Sequence, residues 1–126
     1  MKKTIFCLAV VLCIFICCCK TGALEHNVEV QNKTDSEIFV LACSMQNDLS
    51  FPLSVGAEQS ETFVIQGAAE SADFQVEYQG CRYDLNSGYI QDYSTFSIVF
   101  DSSDSELKAH VNAGERSFEI QIEKSE

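Results

Sequence analysis

From Leu24 onward, apolar side chains recur at every second position, and that alternation restricts the chain to strands half-buried against a core. Phe74, Val76 and Tyr78 alternate with Asp73, Gln75 and Glu77; Phe118, Ile120 and Ile122 alternate near the end, and Val28 and Val30 near the beginning. No stretch of useful length repeats apolar residues at the helical spacing of three and four. The expected elements are Val28 to Val30, Glu37 to Cys43, a short edge strand at Leu53 and Val55, and Glu61 to Gln66. Asp73 to Tyr78, Thr95 to Phe100, Leu107 to Val111 and Phe118 to Ile122 follow, and Cys81 to Leu85 lies between two turns. Pro52 confines its neighbours to an edge because it has no N–H for a ladder.

Turn residues separate these runs. Asn32 to Ser36, Gly56 to Ser60, Gly67 to Ala72, Gln79-Gly80, Asn86 to Gly88, Asp101 to Glu106 and Asn112 to Glu115 combine glycine, asparagine, aspartate and serine, the residues that tolerate or cap tight reversals. Seven or eight short strands at this spacing imply an all-β antiparallel β-sandwich, immunoglobulin-like or similar, with a small closed β-barrel as the alternative. The chain contains no tryptophan, so it lacks the ring that packs on the pin of a standard immunoglobulin domain.

Residues 1–23 read differently. Lys2 and Lys3 precede an uncharged apolar run from Thr4 to Cys19, followed by Lys20-Thr21-Gly22-Ala23. A basic start, an apolar middle too short to span a bilayer, and small residues before a cut describe a secretory signal peptide, with cleavage after Ala23. The remainder, 24–126, is large enough for a single β-sandwich domain. Its expected location is secreted or extracytoplasmic, meaning periplasm or cell surface in a bacterial host. Acylation of Cys17, Cys18 or Cys19 would instead make a lipid-anchored envelope protein, although Ile16, Cys17 and Cys18 are not the small residues that normally precede such a cysteine.

Cleavage would remove five of the seven cysteines and leave Cys43 and Cys81. In an exported chain the economical expectation is one disulfide between them, stabilising the fold by about 4 kcal/mol through loop closure. Cleavage also removes three lysines, leaving five basic residues against 19 acidic ones, a net charge of −14. That field repels phosphate backbones and anionic membranes and favours basic proteins or cations. Nucleic acid is therefore excluded as a partner, and a membrane enters only through lipidation or an uncleaved signal.

The chemistry-bearing residues point to binding. All four tyrosines, Tyr78, Tyr83, Tyr89 and Tyr93, fall within 16 residues and surround Arg82. Tyrosine and arginine are enriched at binding hot spots, so this segment is the candidate face for a protein or glycan; the competing reading places the rings at half-buried strand positions. Asp84, Asn86 and Asp92, and separately Asp101, Asp104 and Glu106, supply the oxygen ligands a calcium ion takes, without the spacing of an EF-hand. Asn32-Lys33-Thr34 is a glycosylation sequon at Asn32 for a eukaryotic host. His26 and His110 are isolated, and neither a nucleophile elbow nor a glycine-rich phosphate loop occurs. The chain is accordingly expected to be a non-catalytic acidic binding module without a cofactor; the alternative is an inhibitor of a basic secreted enzyme such as lysozyme.

The order Val28-x-Val30-x-Asn32, Cys43-Ser44, Asp48-Leu49, Gly56, Phe63 and Cys81 resembles the opening of plant self-incompatibility S1-type secreted proteins. The resemblance implies a small disulfide-tied β-sandwich. The later cysteine pair and the tryptophans of that pattern are missing, and no function is carried over.

Overall fold

A computed structural model of the chain describes residues 25–48, 51–104 and 106–125. The signal-peptide and lipidation expectations for residues 1–23 lie outside the described residues. Among the described residues eleven strands occur in order: β1 (Glu25–Asn32), β2 (Ile38–Cys43), β3 (Gln46–Asn47), β4 (Leu53–Val55), β5 (Ser60–Gln66), β6 (Asp73–Tyr78), β7 (Cys81–Asn86), β8 (Thr95–Ser103), β9 (Glu106–Ala113), β10 (Arg116–Ile120) and β11 (Ile122–Ser125). They form a six-stranded sheet A, ordered β10-β9-β8-β1-β5-β3, and a five-stranded sheet B, ordered β11-β7-β6-β2-β4. Each sheet has two open ends, so the fold is a sandwich and not a closed barrel.

Alternation works as the sequence implied. Val28, Val30, Phe63, Ile65, Phe96, Ile98, Phe100 and Val111 point inward from sheet A and meet Ile38, Val40, Val55, Phe74, Val76, Tyr78 and Leu85 from sheet B in one core. Phe63 and Phe74 meet edge to face across the sheets at 6.3 Å between ring centroids. β4, which follows Pro52, is an edge of sheet B. The Gln79-Gly80 reversal is a two-residue hairpin with both φ values positive (51° and 77°), as a type I′ turn requires.

Three features were not legible from periodicity. β1 and β8 pair in parallel, from Asn27↔Thr95 to Asn32↔Phe100, within otherwise antiparallel sheets. The final run is not one strand: it breaks at Gln121, with β10 on β9 in sheet A and β11 on β7 in sheet B, so one chain segment crosses between the layers. The expected Asp101 to Glu106 loop is mostly ladder, because Ser103 pairs with Glu106.

The expected Cys43–Cys81 disulfide is corrected. Both thiols are free. Cys43 lies opposite Phe74 at one end of β6, and Cys81 lies opposite Tyr78 at the other end, two strands away in the same sheet. Four residues along a strand and two strand spacings across put them roughly 16 Å apart. A disulfide needs α-carbons within about 7 Å.

Candidate functional site

The tyrosine segment does not form one face. Tyr78 is buried in the core at 3% exposure, and Tyr83 and Tyr93 are half-buried against it. They sit there because Tyr83 shares the inward phase of β7 with Leu85, and because Tyr93 lies against Gly114 in the β9–β10 turn. Arg82 is exposed on the outer face of sheet B, opposite Glu77 and Ser125. Tyr89 alone, at 39% exposure, is a large exposed apolar side chain among the described residues. Its hydroxyl donates to Asp92 Oδ2 at 2.8 Å, and that bond, with smaller contributions from desolvation and nearby charges, holds the phenol above its usual range.

The two candidate calcium loops are also separated. Asp84 Oδ1 accepts from Gln75 Nε2, Asn86 Nδ2 donates to Asp73 Oδ1 and Ser71 Oγ, Asp92 holds Tyr89, and Asp101 Oδ1 accepts from the Ser102 N–H. Among the described residues no three His, Cys, Asp or Glu side chains converge where a metal ion could be held.

The sequon asparagine is a structural residue. Asn32 is 1% exposed, and its side-chain amide makes four hydrogen bonds. Nδ2 donates to Ser36 O (2.8 Å) and Val55 O (3.0 Å), while Oδ1 accepts from the Thr34 N–H (2.9 Å) and the Thr34 hydroxyl (2.6 Å). It thereby ties the end of β1 in sheet A to β4 in sheet B. A glycan on Nδ2 is incompatible with this arrangement. His26 is likewise internal: Nδ1–H donates to Tyr93 O, the ring packs edge-on to Phe96, and Nε2 has no partner.

What the fold does assemble lies on the outer face of sheet B. Antiparallel pairing aligns Ala42, Gln75, Asp84 and Glu123 in one row across β2, β6, β7 and β11. Ser44, Asp73, Asn86 and Gln121 form a second row at the same ends of these strands. The backbone of Cys43, Phe74 and Leu85 runs between them. The rows wall a trough of about 650 Å³. Among the described residues its lining contains three carboxylates and no basic residue. Asp84 and Glu123 are direct cross-strand partners, a like-charge juxtaposition that costs stability. The Cys43 thiol, packed against the core on the other side of the sheet, is pushed up by burial, with the charge of Asp73 adding to the shift and a backbone hydrogen bond at Met45 opposing it.

Alternation placed Asp73, Gln75 and Glu77 on a wet strand face, yet it gave no indication that Gln121 and Glu123 join them. That depends on the β10–β11 break, which brings the last strand alongside β7. No protein-family model matches the chain, and no curated protein is similar to it.

Proposed function

We propose that the chain is an exported, non-catalytic binding module whose partner is a basic protein. The observation that carries this reading is that, among the described residues, no carboxylate is held in an ion pair by the chain's few cations. With 19 acidic and eight basic residues in the whole sequence, the net charge is strongly negative. Such a field accelerates encounter with a cationic partner and makes the association salt-sensitive. The dispersal of the tyrosines removes most of the support for an aromatic glycan platform, and leaves Tyr89 with Asp92 as its remnant.

Inhibition of a basic secreted enzyme is the specific form of this reading. Lysozyme activity, measured with and without the recombinant residues 24–126 at low and at physiological ionic strength, tests that form, and retention on immobilised lysozyme and polylysine tests the general one. Salt-sensitive retention supports the proposal. Absence of retention on both at low salt refutes it. Export and lipid anchoring are settled by intact mass from the native host: a chain starting near Leu24 is a soluble secreted protein, whereas one starting at Cys17, Cys18 or Cys19 with acyl chains is an envelope component.

A further inference from the structure

We infer that the outer face of sheet B is the docking surface and that its occupant is an extended, lysine- or arginine-bearing segment of a protein partner, laid across the strands in the trough. The inference rests on the basic-partner reading above and assigns it a place.

Geometry and charge each restrict the occupant. The two walls are formed by residues two apart on each strand, so they stand roughly 7 Å from one another, wide enough for an extended backbone. From β2 to β11 the trough crosses three strand spacings, roughly 14 Å, which is the span of four to five extended residues. Alternate side chains of such a segment project to one side at intervals of roughly 7 Å, between the one and two strand spacings (roughly 5 and 10 Å) that separate Asp73, Asp84 and Glu123 along the trough, a difference the flexible stem of a lysine or arginine takes up. One oxygen of Asp73 and one of Asp84 are occupied by Asn86 and Gln75; the other oxygens and both of Glu123 have no hydrogen-bond partner. Gln75 and Gln121 add side-chain amides that can pair with a passing backbone. At the β2 end the walls are the small residues Ala42 and Ser44, which leave the trough open for the segment to enter. Among the described residues no cation lines the trough, Arg82 standing outside it on the same face two residues from Asp84, and the direct Asp84–Glu123 opposition means that a cation placed between them removes a repulsion that the free fold retains.

The test uses the recombinant protein 24–126 and an acetylated, amidated octapeptide of alternating lysine and serine, with an alternating glutamate and serine peptide as control. Titration followed by amide NMR shifts should move residues 42–44, 73–75, 84–86 and 121–123 with the lysine peptide alone. Asp84→Asn combined with Glu123→Gln should weaken this binding about fivefold or more, the size expected for two partly exposed charge contacts. The same double variant should melt no lower than the parent, because it removes a like-charge pair. Glu25→Gln combined with Glu106→Gln on sheet A removes equal charge and should change affinity less than about twofold, as screening predicts for distant charges. Equal weakening by both double variants, or shifts spread over both sheets, overturns the trough while leaving the basic-partner reading in place. Failure of the lysine peptide to bind overturns the trough, and together with no retention on lysozyme or polylysine it overturns both.

Discussion

Replacing Asn32 tests the claim that one side chain fastens the two sheets together. In Asn32→Ala, the Val55 carbonyl and the Thr34 N–H lose their side-chain partner at once, and the Ser36 carbonyl and the Thr34 hydroxyl each lose one of two. Each such bond contributes about 1 kcal/mol net, and buried groups left unsatisfied cost somewhat more. The Thr34 hydroxyl recovers part of the loss, since it also lies 2.8 Å from Ser36 O. The expected destabilisation is therefore about 3 to 4 kcal/mol, a large fraction of the roughly 5 to 15 kcal/mol available to a domain. In urea unfolding followed by far-UV circular dichroism, this is a midpoint shift of about 2 to 3 M at an unchanged slope. Asn32→Asp is the sharper variant, because it keeps the shape and the Oδ1 acceptor but sets a carboxylate oxygen against two carbonyls. Protonation restores one donor, so this variant's folded-state pKa is raised: the stability it retains is present below the ordinary carboxylate range and is lost as pH rises through the raised value. A loss below about 1 kcal/mol for Asn32→Ala, or an aspartate variant indifferent to pH between 4 and 7, would refute the reasoning.

Other substitutions separate core from surface. Tyr78→Ala should cost about 3 to 5 kcal/mol by the same urea assay, as expected for a buried aromatic ring, whereas Tyr89→Ala should stay within about 0.5 kcal/mol of the parent. Gly88→Ala should destabilise by about 1 to 3 kcal/mol, because φ is 71° and the added carbon would stand 2.7 Å from the Phe118 ring; differential scanning calorimetry reads the loss. Reductant should leave both the intact mass and the melting temperature of the folded protein unchanged, since Cys43 and Cys81 are free. The Cys43 thiol should react with iodoacetamide more slowly than an unhindered model thiol at pH 8.5, as its upward shift keeps it protonated. The stability associated with that neutral thiol is present below the unfolded thiol's range and declines as pH rises through the raised folded value.

Alternation by itself determined the all-β class, most strand positions and the inward residues, because a side chain's phase along a strand decides whether it faces core or solvent. Pro52 determined an edge for the same kind of local reason, the lack of a donor. Gln79-Gly80 specified its hairpin because glycine adopts a positive φ without steric penalty. The sequence could not determine partners across space. The four tyrosines are close in sequence, yet Tyr78 and Tyr89 differ in phase and element, so one is core and the other surface. Cys43 and Cys81 are the natural pair by count, but the length of β6 separates them. The Asn32 sequon reads as a surface turn until β4 brings the Val55 carbonyl within reach. The acidic trough exists only because the chain breaks at Gln121 and crosses from one sheet to the other, setting Glu123 against Asp84. Local periodicity fixes which way each side chain points along its own strand; strand order and register, which come from burying both sheets against one another, decide which side chains meet.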